Sequence, residues 1–263
     1  NHALDRCGLP AGDGPNMIGW LLAGLALLAA ALYYLLVLTE GTYLGTRLVT
    51  LLYDWTAHRY DRLKNLRYIN ESYFLGVPLE SRLSQVLSPR LLDVATGTGR
   101  LPQAICPLWQ GHGIVIGVDR SRAMLLHADE ASAALNGVHY IQADAEALCF
   151  SDEAFDAVTC LEAFEFFVHP QHAAQEMHRV LKPGGVLLAS NRIGPDGWLF
   201  PRRASGRGRF EAFLAEQGFV DITSQRWQVH YDLVWARRGT ATGAAASEMG
   251  AATPPSTMTL AKG

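Results

Sequence analysis

The stretch Leu91–Leu101 reads LLDVATGTGRL, and it holds the first residues whose types and spacing could do chemistry. Apolar residues surround Asp93, and Ala95, Gly97 and Gly99 follow on alternate positions. The pattern is a buried strand that enters a glycine turn and then a helix. Residues without bulky side chains let a ligand approach the backbone closely. The helix behind them aims its N-terminal amides and positive dipole end at the same point. A nucleotide-like ligand suits this arrangement. Two more acids, Asp119 and Asp144, fall at strand ends. Asp119 lies 20 residues past Gly99, where a carboxylate can accept hydrogen bonds from both hydroxyls of a ribose. Pro102 stands where G-x-G-x-x-G has its third glycine, which weakens a dinucleotide reading.

These acids converge only if their strands lie side by side. Strands are expected at Arg90–Ala95, Ile114–Asp119, Val138–Ala143, Phe155–Leu161 and Val186–Asn191. Helices are expected at Arg100–Trp109, Ser121–Leu135, His172–Leu181 and Arg209–Gln217. The third of these is stopped by the Lys182-Pro183-Gly184-Gly185 run. Two β segments close the pattern, at Val220–Trp227 and Val229–Arg237, and suggest an antiparallel hairpin at one edge. Alternating strands and helices imply an α/β, doubly wound, mostly parallel sheet, with ligands at the carboxyl ends of its strands.

The chain has 263 residues, enough for one α/β domain with appendages. Its net charge of -3 gives no electrostatic reason for a nucleic-acid partner. Cys7, Cys106, Cys149 and Cys160 show no metal-ligand spacing, and the last three read as small core residues. Apolar residues make up 49%, and the excess gathers near the N-terminus. From Met17 to Leu38 no residue is charged, which as a helix of about 22 residues reaches roughly 33 Å. A membrane span is the expectation. A signal peptide would need a positive cluster before the run, and a core helix would be polar on one side. Arg47, Arg59, Arg62, Lys64 and Arg67 follow the run, which points to an outside N-terminus and a cytoplasmic C-terminal side.

Residues 42–56 read as an amphipathic helix, with Leu44, Leu48, Leu51, Leu52 and Trp55 on one face. That face either lies on a membrane or packs on the globular part. The organisation is then an irregular tail (1–16), a span (17–39), amphipathic and linker helices (40–88), an α/β domain (89–238) and a low-complexity tail (239–263).

Four strings in order, LLDVATGTGRL, GVDRSRAML, QADAEALCFSDEAFDAVTC and EMHRVLKPGGVLLASNR, make the chain resemble class I S-adenosylmethionine-dependent methyltransferases of the ubiquinone/menaquinone-biosynthesis type. The resemblance runs from about Tyr53 to Arg238. It implies a seven-stranded Rossmann-like sheet with an antiparallel last strand, and S-adenosylmethionine as cofactor. It would set Asp93, Ala95, Gly97 and Gly99 around the methionine part of the cofactor, Asp119 on the ribose, and Met124, Asp144 and Ala145 at the adenine. Tyr60-Asp61 resembles the family's N-terminal segment that closes over the cofactor, and Tyr53-Asp54 is a rival match. Glu162 would stand at the mouth between cofactor and acceptor.

The family's usual histidines and aspartate after the fourth strand are here Glu165, Phe166 and His169. Methyl transfer needs mainly alignment, and a base helps only with some acceptors. Glu162, Glu165 and His169 are the candidates for that role. Phe164, Phe166 and Phe167 either line an apolar acceptor pocket or fill the core. Beside a span, the resemblance implies a lipophilic acceptor: a quinone precursor, lipid or pigment. An alternative is an accessory subunit of a membrane complex, among integral-membrane partners, that keeps the fold with little turnover.

Overall fold

The computed structural model describes residues 17–35, 48–55, 71–194 and 206–240. Helix α1 (Met17–Tyr33) is followed by α2, a helix over 48–55. A π-helical turn, Ser72–Gly76, leads into α3 (Val77–Leu83). Then β1 (Arg90–Val94), α4 (Arg100–Trp109), β2 (Ile114–Asp119), α5 (Arg122–Ala131) and β3 (Val138–Gln142) alternate. They are followed by β4 (Phe155–Cys160), a 3₁₀ turn (Phe164–Phe166), α6 (Pro170–Val180) and β5 (Leu181–Arg192). The described chain closes with α7 (Arg209–Glu216), β6 (Phe219–Arg226) and β7 (Tyr231–Arg238).

The strands form one seven-stranded sheet in the order β3-β2-β1-β4-β5-β7-β6. β3, β2, β1, β4 and β5 run parallel, and β7 is antiparallel to both β5 and β6. This is the doubly wound sheet that the strand–helix alternation implies. The order reverses between β1 and β4, so a crevice opens at their carboxyl ends.

Alternation along each strand divides the core in two. Leu91 and Val115 pack on one face with Leu79 and Leu83 of α3 and Leu101, Ile105 and Trp109 of α4. Leu92 and Val94 pack on the other with Ala173, Met177 and Val180 of α6 and Phe210, Phe213 and Leu214 of α7. β1 is thus covered on both faces, and each of its fully buried leucines contributes about 1.5–3 kcal/mol. That burial makes β1 a rigid base for the turn it carries.

Four expectations change. α5 ends at Ala131 rather than Leu135. β5 starts at Leu181, before the Pro183-Gly184-Gly185 turn, because the fully buried Leu181 pairs with Phe155 of β4. Cys149 is exposed outside any strand or helix, whereas Cys106 and Cys160 are buried. The membrane span expected over Met17–Leu38 is not met. Continuous α-helix covers 17 residues, about 26 Å against a hydrocarbon thickness of about 30 Å. Among the described residues no helix is long and apolar enough to cross a membrane, and residues 36–38 lie outside them.

Candidate active site

The turn after β1 is built on alternating left-handed residues: Ala95 and Gly97 at φ 56°, Gly99 at φ 79°. The two glycines face different ways. A Cβ on Gly97 would meet nothing within 4 Å, so this backbone lies open. A Cβ on Gly99 would come within 2.5 Å of the Tyr140 hydroxyl oxygen, so Gly99 is required for packing against β3. Ala95 carries the left-handed strain of a side chain, on the order of 1–2 kcal/mol.

Asp93 holds this turn from beneath. It is 2% exposed. Its Oδ2 accepts from Thr96 Oγ1 and its Oδ1 from Thr159 Oγ1, both at 2.6 Å. Burial raises its pKa to about 6, against the two threonine hydroxyls that favour the charged form.

Asp119 ends β2 and crosses to the same turn. Its Oδ2 accepts the Gly97 amide at 2.9 Å, and its Oδ1 accepts the Ser121 amide at 2.8 Å. Burial raises its pKa, and the Ser121, Gly97 and Arg120 amides oppose that shift. Ser121 caps α5, its hydroxyl accepting from the Met124 amide at 3.1 Å. Asp54 of α2 reaches the same helix end. Its Oδ1 accepts from the Ser121 hydroxyl and, at 3.4 Å, from the Ala123 amide. A carboxylate here also meets the positive end of the α5 dipole.

Beyond β3, Asp144 pairs with Arg120 and accepts the Glu146 amide at 3.1 Å. The Glu146 carboxylate then accepts the Val168 and His169 amides at 2.9 and 3.0 Å. One short segment thereby fixes the loop after β4. At the β4 end, Glu162 is held in the left-handed region at φ 51° and donates its amide to Ser190 Oγ at 2.6 Å. Its carboxylate accepts from Arg100 Nη1 at 2.5 Å and from Gln228 Nε2 at 3.2 Å.

Ala95, Gly97, Asp119, Met124, Asp144, Ala145 and Glu162 all line one cleft of about 880 Å³. The cleft is open to solvent on one side, and its lining of a few polar groups among apolar ones suits a small-molecule ligand. Asp93 and Gly99 support the turn and do not line the cleft. Two base candidates are also placed elsewhere. Glu165 is 3% exposed and binds the Tyr231 hydroxyl and Arg192, while His169 is exposed beside His172 at the start of α6. The three phenylalanines divide. Phe166 and Phe167 line the cleft, and Phe164 is buried against Phe210 and Phe213.

Tyr60 lies outside the described residues. Among the described residues, its rival Tyr53-Asp54 reaches the site, with Tyr53 lining the cleft beside Val49 and Thr50. α2 therefore turns Val49, Thr50, Tyr53 and Asp54 inward. Leu51 and Trp55 of the expected packing face are 60% and 76% exposed. Sequence reasoning missed Ser121 and Glu146 in the lining. Ser121 had a readable signal, a capping residue between a strand and a helix.

The cleft crosses the carboxyl ends of β3, β2, β1 and β4 in that spatial order. It offers a carboxylate, an open backbone turn and a largely apolar wall to an elongated ligand. Residues 92–189 match the family model described as "Methyltransferase domain". A demethylmenaquinone methyltransferase of Clavibacter sepedonicus is 32% identical over 140 residues, 53% of this chain and 56% of that protein. A ubiquinone/menaquinone biosynthesis C-methyltransferase of Blochmanniella floridana is 33% identical over 150 residues, 56% of this chain and 59% of that protein. The chain thus spans less than two thirds of the length of these relatives.

In fold it is similar to the CurJ carbon methyltransferase, with a TM-score of 0.54 over 61% of this chain and 51% of that one, at 17% identity. Residues 92–189 match a methyltransferase domain, and the methyl donor such a domain implies is S-adenosylmethionine.

Proposed function

We propose that this protein methylates a carbon of a lipophilic, quinone-like small molecule, and that α1 holds it at a membrane. What carries the first part is the meeting of Gly97, Asp119 and Met124 in one cleft, on a domain whose relatives are named as demethylmenaquinone and ubiquinone/menaquinone biosynthesis methyltransferases. When bound, S-adenosylmethionine supplies a methyl group on a sulfonium, ready for in-line displacement. The chain does the alignment. Asp119 accepts the ribose hydroxyls, the Gly97 backbone lets the ligand lie close, and Met124 with Ala143 to Ala145 borders the adenine. Tyr53, Phe166 and Phe167 form an apolar wall that suits a flat, greasy acceptor.

The membrane part is supported by α1, which has no charged residue and exposes Met17, Trp20, Leu21, Leu25 and Leu28. Tethering raises the effective concentration of the domain near an acceptor dissolved in lipid.

Incubation with label on the methyl group of the donor and a membrane-lipid extract tests the reading. Label entering a lipid-soluble product supports it and identifies the acceptor. Deleting residues 1–40 leaves donor binding intact and abolishes association with vesicles. A chain that stays on vesicles without them sinks the anchor.

A second reading, an accessory subunit with little turnover, is favoured by the base candidates. Glu162 is ion-paired, and Glu165 and His169 lie outside the cleft. Stoichiometric co-purification with membrane proteins, with donor bound and no label transferred, would establish it.

A further inference from the structure

Two walls of the cleft meet through one carboxylate. Asp144, Ala145 and Glu146 line it past the end of β3, and Phe166 and Phe167 line it past the end of β4. The first three sit on a tight turn. In it the Ala147 amide donates to the Asp144 carbonyl at 3.1 Å, and the Glu146 amide donates to Asp144 Oδ1 at 3.1 Å. Glu146 Oε1 then reaches the second wall and accepts the Val168 and His169 amides, at 2.9 and 3.0 Å. Those amides follow the two rings directly and stand just before α6, so one oxygen fixes where the loop becomes the helix. Amides at a helix start have no partner within the helix, and the carboxylate supplies one. The strip beyond the turn is clamped to the body of α6. The Leu148 amide donates to Glu176 Oε2 at 2.8 Å. Arg179 donates to the Leu148 carbonyl at 3.1 Å and to the Phe150 carbonyl at 2.8 Å. Residues 148–150 are thus fixed to the helix, whereas residues 144–146 face the cleft, where a ligand reaches them.

We propose that Glu146 couples the two halves of the site, so that filling the adenine seat sets Phe166 and Phe167 for the acceptor. The inference rests on the reading above, in which the adenine lies against residues 143–145 and the acceptor against the two rings. With that seat filled, the turn from Asp144 to Ala147 settles. Glu146 passes the constraint to the Val168 and His169 amides, and through them to the rings. Glu146 acts on the acceptor through the loop backbone, so it is a positioning residue and not a catalytic one. Coupling between two bound ligands is reciprocal, so an acceptor tightens donor binding by the same factor. The reaction thereby gains an order, because the acceptor wall is complete once the donor is in place. S-adenosylhomocysteine keeps the adenosine half, and it therefore exerts the same coupling without a methyl group to transfer.

The test is calorimetry on the full chain in detergent. S-adenosylhomocysteine probes the donor side, and 1,4-dihydroxynaphthalene, kept reduced, probes the acceptor side. Wild type saturated with S-adenosylhomocysteine binds the naphthalene about 5- to 10-fold tighter than wild type alone, and the reverse titration gives the same factor. Glu146→Ala brings that factor below twofold. Glu146→Gln keeps an acceptor oxygen for the loop amides and restores it. Hydrogen exchange gives a second reading that needs no acceptor. S-adenosylhomocysteine slows exchange across residues 164–169 in wild type and in Glu146→Gln, but not in Glu146→Ala. A factor near one in wild type with both probes bound overturns the proposal, and that measurement needs no variant to fold. A factor that survives Glu146→Ala overturns it too. A wild type that binds S-adenosylhomocysteine but not the naphthalene refutes the acceptor reading instead, and the exchange pattern then decides whether Glu146 links the two walls.

Discussion

The rings of Tyr53 and Phe166 meet edge to face, their centroids 5.9 Å apart at 80°. One ring comes from α2 and the other from the 3₁₀ turn after β4, so the contact joins two walls of the cleft across a long sequence separation. A chain segment with no strand of its own is thereby made part of the site.

Asp54 is the polar half of that attachment. Asp54→Ala removes acceptors from the Ser121 hydroxyl and the Ala123 amide. At about 1 kcal/mol for a lost helix-capping group, donor affinity falls about fivefold. Residues 48–55 become cleavable by added protease while the sheet stays intact. Unchanged affinity together with unchanged protection would show that α2 is held by something else.

Asp119→Ala removes the acceptor expected to hold the ribose and frees the Gly97 and Ser121 amides. Hydrogen bonds to charged groups contribute about 1.5–3 kcal/mol, so donor affinity drops about 10- to 100-fold in calorimetry. Asp119→Asn, which keeps one acceptor, falls between the two. A loss below twofold in the alanine variant would place the ribose elsewhere.

Asp93 gives a pH signature. Its folded-state pKa of about 6 lies above the ordinary aspartate value of 3.8. The folded protein therefore binds more protons than the unfolded chain between about pH 4 and 6, and Asp93 lowers stability as pH rises through that window. The cost approaches about 3 kcal/mol above pH 6. Asp93→Asn removes the titration and keeps a hydrogen-bonding side chain between Thr96 and Thr159. In urea unfolding its stability relative to wild type should rise from pH 4 to pH 7. A difference that stays flat with pH would mean that Asp93 does not titrate in this range.

Phe164 and Phe166 are two residues apart and differ in consequence. Phe164→Ala opens a hole beside Phe210 and Phe213 and costs about 3–5 kcal/mol of stability. Phe166→Ala costs much less in thermal melts but weakens donor or acceptor binding, since that ring lines the cleft. The reverse ranking would contradict this division.

The sheet was legible because strands buried on both faces read as apolar runs, and Leu91–Val94 is such a run. The acids at strand ends, the alternating glycines and Ser121 as a cap are likewise local patterns. What could not be read depends on side-chain direction across long separations. Nothing near Glu165 shows that it turns toward Tyr231 and Arg192 instead of the cleft. Nothing near Tyr53 shows that α2 turns it into the cleft. The helical apolar stripe of 48–55 left open whether it meets a membrane or the globular part. The domain takes the face that can cap α5 and close the cleft, and leaves Leu51 and Trp55 outside.

β7 is the last of the described strands yet lies inside the sheet, between β5 and β6. During synthesis on the ribosome, β5 emerges long before Tyr231–Arg238 can join it. Until then the edge from Val186 to Arg192 is unpaired, a row of open amides and carbonyls flanked by apolar side chains. A nascent chain stalled before Tyr231 is thus a ready template for misassembly. Messages cut short in this region should yield insoluble protein rather than a smaller working enzyme.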